Sequence, residues 1–126
     1  MMSRLGLVGI VMYGLMGVTS SALAGASHPN PLVITASYAR GSMRSVRESN
    51  DSYESIGCYS SGPSRYVRCV ARNRTQSLTC FENRPEVVNG LMQTLAAMTS
   101  DSALCFRVGP DGRCRQVRVE NFSYWR

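Results

Sequence analysis

The stretch "CYSSGPSRYVRCVARNRTQSLTC" carries three cysteines, Cys58, Cys69 and Cys80, each 11 residues from the next. Between the first two stands Gly62-Pro63-Ser64, and between the second two the polar "NRTQ". Such residues are favoured where a chain reverses. A reversal centred on Pro63-Ser64 sets Cys58 opposite Cys69, and one centred on Arg74-Thr75 sets Cys69 opposite Cys80. In "RYVRCVAR", Arg65, Val67, Cys69 and Ala71 alternate with Tyr66, Arg68, Val70 and Arg72, and alternate side chains of a strand point to opposite faces. "YESIGCYSS" and "SLTCFE" read as the strands on either side. The interval of 11 is what a tight meander gives when its cysteines share one row across the sheet.

Two further cysteines, Cys105 and Cys114, flank the turn Gly109-Pro110-Asp111-Gly112. Inward positions for Leu104, Phe106 and Val108 and for Val117 and Val119 pair Leu104 with Val119 and Phe106 with Val117. That register sets Cys105 opposite Arg118 and Cys114 opposite Gly109. The two cysteines then stand about 13 Å apart along the hairpin at roughly 3.4 Å per residue, beyond the ~7 Å that a disulfide spans. A bulge near the turn would restore that pairing; without one, two arrangements remain: Cys58–Cys69 with Cys80–Cys114, or Cys69–Cys80 with Cys58–Cys114. Either leaves Cys105 free. Close C-x₂₋₄-C knuckles of a zinc site and a redox C-x-x-C are both absent, so the expectation is disulfides, no metal and no cofactor.

The N-terminus supplies the compartment in which disulfides persist. "MMSR" carries one positive charge, Leu5 to Val18 is an uncharged run of 14, and Ala22-Leu23-Ala24 fits an A-x-A cleavage site. This pattern reads as a secretory signal peptide over residues 1–24. The run is short of the ~20 residues a bilayer span needs, and no later segment is apolar enough to serve as one. The expected location is periplasmic or secreted. Residues 25–34, with two prolines and the only histidine, His28, read as a flexible leader. Residues 35–126 then form a single β-rich domain, small enough to gain from staples.

One helix is expected. In "NRPEVVNGLMQTLAAM", Asn83 and Glu86 fit a capping box and Pro85 a first turn. Val87, Val88, Leu91, Leu95 and Met98 recur at helical spacing. The fold class is mainly β (α+β): a small antiparallel sheet or an OB-like barrel, with one helix between the third and fourth main strands. The OB-like order requires residues 34–47 to supply part of the first strand.

Arg40-Gly41-Ser42, Arg47, Asp51-Ser52, Ile56-Gly57-Cys58 and Gly112-Arg113-Cys114 resemble the pattern of small exported bacterial proteins of uncharacterised function. The similarity spans roughly residues 38–122. The resemblance implies a structural role for these motifs and an extra thiol at Cys105. It implies no activity.

All 14 basic residues are arginines. Without Arg4, 13 arginines face 8 acidic residues, a net charge of about +5, which favours an anionic partner. The expected ligand-binding residues are Arg68 and Arg72 on one strand, Arg107, Arg115 and Arg118 on the last hairpin, with Tyr66 or Tyr124 for stacking. Arginine forks suit phosphates and carboxylates, and aromatics stack on bases or sugars. The partner is a polyanion or, alternatively, a protein that this chain inhibits or confers immunity against. A secreted hydrolase is the weaker reading: Glu48, Glu54, Glu82 and Glu120 are bases in principle, but no nucleophile–base constellation stands out. The sequons at Asn50, Asn73 and Asn121 matter only in a eukaryotic secretory path.

Overall fold

A computed structural model of the protein describes residues 29–123. The expected signal peptide, His28 and Tyr124 lie outside the described residues. The chain is mostly β, arranged as two antiparallel sheets.

The meander forms the first of them. Strands β3 (Ser55–Ser61), β4 (Tyr66–Arg72) and β5 (Ser77–Glu82) pair in order. Cys58 is opposite Cys69 and Cys69 opposite Cys80, the single row that the spacing predicts. Alternation sends Ile56, Val67, Cys69, Ala71 and Cys80 into the core. Tyr59, Tyr66, Arg68 and Phe81 fall on the other face.

The second sheet has the order β1-β2-β6-β7, from β1 (Val33–Ile34), β2 (Tyr38–Ser42), β6 (Ala103–Val108) and β7 (Cys114–Glu120). The hairpin register is as expected at Leu104↔Val119, Cys105↔Arg118 and Phe106↔Val117. It then shifts. A bulge next to Arg107 places Cys114 opposite Val108 rather than Gly109. Arg115 is the extra residue, which keeps both Cys114 and Val117 buried.

The inner faces of both sheets supply one core. Ile34, Ala39, Leu104, Phe106 and Val117 meet Ile56, Val67, Cys69, Ala71 and Cys80. Each outer face therefore looks away from that shared core.

Residues 34–47 supply the end of β1 and all of β2, and helix α1 (Met43–Arg47) follows β2 directly. Ser42 caps it, its Oγ accepting from Ser45 N–H at 3.0 Å. The expected leader also ends earlier than residue 34: Asn30 is buried, and Val33 and Ile34 pair with β2. Helix α2 (Pro85–Leu95) lies between β5 and β6, as expected, and buries Val88. Leu91, Met92, Leu95 and Met98 pack against the core. Its cap differs from expectation. Arg84 is the N-cap, with no side-chain cap bond, because Asn83 Oδ1 accepts instead from Arg113 Nη1 at 3.2 Å.

Disulfides Cys58–Cys69 and Cys80–Cys114 are formed and Cys105 is free. The first closes the β3–β4 ladder; the second joins the two sheets.

Candidate functional site

The outer face of β3–β4–β5 carries an aromatic row. Tyr59, Arg68 and Phe81 are direct cross-strand partners. Tyr59 and Tyr66 meet edge-on with ring centroids 6.2 Å apart, and Tyr66 lies 5.3 Å from Phe81. The Arg68 guanidinium sits over Phe81, 5.1 Å from its centroid. Pairs at these separations attract through the ring quadrupoles. Arg72 shares the face, opposite Ser55 and Ser77. No outward position of the three strands is acidic. Tyr59 is 51% exposed, so the row is open to a partner.

The hairpin arginines lie elsewhere. Arg107 is opposite Tyr38 in the other sheet, its guanidinium 5.1 Å from that ring. Arg118 pairs with Glu120 at 3.4 Å. Cys105 stands between Arg40 and Arg118, its partners on either side, and the three line a cavity of about 220 Å³ with Asn30 and Glu120. Tyr66, Arg68 and Arg72 thus form one surface, and Arg107 and Arg118 another on the second sheet. Two sheets sharing a core cannot bring these outward faces together. Arg115 belongs to neither, since the bulge turns it toward Gly109.

A further cluster was not expected from the sequence. Glu82 is fully buried. Arg84 donates to it from Nη2 at 2.7 Å, from Nε at 2.9 Å and from its backbone N–H at 3.0 Å. Arg113 Nη1 donates at 3.0 Å. The Arg84 side-chain hydrogen bonds, with the Arg84 N–H and the two positive charges, outweigh burial and hold the Glu82 carboxyl down to about 2 from an ordinary 4.5. A carboxylate so held is a poor general base, which removes Glu82 from the hydrolase reading. Alternation supplied the missing signal. Glu82 is two residues from inward-facing Cys80, and Arg113 adjoins Cys114, so the Cys80–Cys114 bond implies their approach.

The Sγ atoms of Cys69, Cys80 and Cys114 lie within 4.8 Å of one another. All three are in disulfides, which leaves no thiolate there for a metal. Among the described residues no other group of three potential ligands converges.

The chain matches no protein-family model, no curated protein and no solved structure. Two disulfides are compatible with an extracellular or periplasmic location. No helix among the described residues is long and apolar enough to cross a membrane.

Proposed function

We propose that the protein is an exported binding protein that takes an anionic polymer on the outer face of β3–β4–β5. The observation that carries this is the row Tyr59, Tyr66 and Phe81 with Arg68 laid over Phe81. Rings offer a stacking surface for a base or sugar, worth about 1–3 kcal/mol per stacked base. Arg68 and Arg72 offer charge beside it. The stacked Arg68 is already ordered, so less side-chain freedom is lost when an anion binds. The face on the second sheet has arginines as well, but Arg118 is paired with Glu120, and among the described residues Tyr38 is the one ring set against Arg107 there.

The test is a titration of single-stranded DNA, RNA and an anionic glycan, at low and moderate salt. Wild type is compared with Tyr66→Ala/Arg68→Ala/Arg72→Ala and with Arg107→Ala/Arg118→Ala. The first variant is expected to lose binding and the second to keep it, with affinity falling steeply as salt rises. Equal binding by all three proteins removes this face as the site. No binding by wild type at low salt sinks the anionic-polymer reading and favours the protein partner, which retention of one stoichiometric partner would identify.

A further inference from the structure

One cavity gathers arginines that the proposed function does not use. It opens between the first turn of α2 and the β6–β7 turn, has a volume of about 370 Å³, and is lined by Arg84, Arg113 and Arg115 with Val87, Gly109 and Asp111. That volume falls in the range of small-ligand clefts, roughly 300–1,000 Å³.

Two of the three guanidiniums are held from behind by a carboxylate that never reaches solvent. Arg84 spends Nε and Nη2 on Glu82, and Arg113 spends Nη1 on Glu82 and Asn83. Among the described residues, Arg84 Nη1 and Arg113 Nη2 have no bonded acceptor. Arg115 is the bulge residue. Its Nε and Nη2 lie 3.5 and 3.6 Å from where a Cβ on Gly109 would stand, so the side chain reaches across a turn left open by that glycine. The cavity lining itself holds three guanidiniums against Asp111, whose Oδ2 is 3.9 Å from Arg113 Nε. Glu82 behind them and Glu86 in the first turn of α2 also face Arg84, so the excess of positive charge is confined to the lining, where the free donors of Arg84 and Arg113 point.

We propose that this cavity binds a phosphate or sulfate group. A carboxylate offers two oxygens. A tetrahedral oxyanion offers enough to meet Arg84, Arg113 and Arg115 together, and arginine forks match its geometry. Glu82 has already ordered two of the three side chains, which lowers the entropy lost on binding. The group arrives either as the free ion or as a monoester ending a larger molecule; the chemistry recognised is the same. The site is independent of the aromatic face.

The test uses the oxidised full chain in phosphate-free buffer. Backbone amide NMR shifts are followed during titration with inorganic phosphate, with phenyl phosphate and with acetate at matched ionic strength. The variants are Arg115→Ala, which leaves Glu82 and its two arginines intact, and Arg68→Ala on the aromatic face. Saturable shifts at Gly109, Gly112 and Arg113 are expected with inorganic phosphate if the free ion is the ligand, or with phenyl phosphate alone if an ester end is. In either case Arg115→Ala should weaken binding roughly tenfold, the loss of one charge-assisted contact, and Arg68→Ala should not change it. No saturable shift with either phosphate, acetate binding as well as phosphate, or equal affinity in wild type and Arg115→Ala would overturn the proposal.

Discussion

Cys69 stands directly opposite Cys80 across the β4–β5 ladder, yet the two are not bonded to each other. Cys69 is bonded to Cys58 on its other side, and Cys80 to Cys114 in the second sheet. The β6–β7 turn decides the choice. Phe81 N–H donates to Gly112 O at 3.1 Å, which draws the turn against β5 and brings Cys114 to Cys80. Gly112, at φ 82°, adopts the left-handed backbone that this approach uses.

The two disulfides should differ in worth. Cys58–Cys69 closes 11 residues and Cys80–Cys114 closes 34. Loop entropy gives about 3 kcal/mol for the first and about 4 for the second. Cys80→Ala/Cys114→Ala should therefore lower the unfolding free energy more than Cys58→Ala/Cys69→Ala. Urea unfolding of the two double variants measures the difference, and the opposite order would contradict it.

Alkylation of the unreduced protein should modify Cys105 and no other cysteine. Its strand partners Arg40 and Arg118 leave it facing a cavity, whereas the other four are oxidised. Peptide mapping by mass spectrometry checks this; label at Cys114 or Cys80 would mean that the inter-sheet bond is not formed.

Glu82 makes stability depend on acid. Its folded value of about 2 lies below the ordinary 4.5, so the unfolded chain takes up a proton first as pH falls. The stabilisation is complete above about pH 4.5 and is lost as pH drops from there through about 2. The shift corresponds to about 3 kcal/mol at neutral pH. Glu82→Gln should be less stable than wild type at pH 7, and the gap should narrow by that order between pH 5 and 2. Chemical unfolding at several pH values reads it directly, and parallel pH profiles for the two proteins would refute the role.

The glycines of two quoted motifs should respond oppositely to alanine. A Cβ on buried Gly41 would stand 3.2 Å from Leu32 Cα and 3.3 Å from Val46 Cγ2. The backbone of the segment before β1 cannot give easily, so Gly41→Ala should cost about 1–3 kcal/mol. A Cβ on Gly57 meets nothing within 4 Å, so Gly57→Ala should be neutral or stabilise by about 0.5 kcal/mol. Thermal unfolding midpoints of the two variants distinguish these outcomes.

The same contacts explain why the motif Arg40-Gly41-Ser42 is compact and specific. Gly41 admits the Leu32 backbone, Ser42 caps α1, and Arg40 Nη1 donates to buried Asn30 at 3.1 Å. In Gly112-Arg113-Cys114, the glycine turns the chain, the arginine neutralises Glu82 and the cysteine joins the sheets. Each position has a structural use.

What the sequence determined by itself is local. Period-two alternation places Val67, Cys69 and Ala71 on one face and Tyr66, Arg68 and Arg72 on the other, because a strand leaves its side chains no alternative. Turn residues 11 apart put three cysteines in a row, because the centre of a tight hairpin sets its register. The tertiary structure decided what sequence spacing does not encode. It divided the strands between two sheets, so that Arg68 and Arg118 lie on separate faces. It took Asn83 from the helix cap by placing Arg113 beside it. It chose Cys114 over Cys69 as the partner of Cys80, and it enclosed Glu82 between arginines 2 and 31 residues away. Those outcomes depend on which inner faces share a core and on which turn reaches a neighbouring strand. Such contacts join residues far apart along the chain, where hydrophobic period and turn chemistry carry no information about distance.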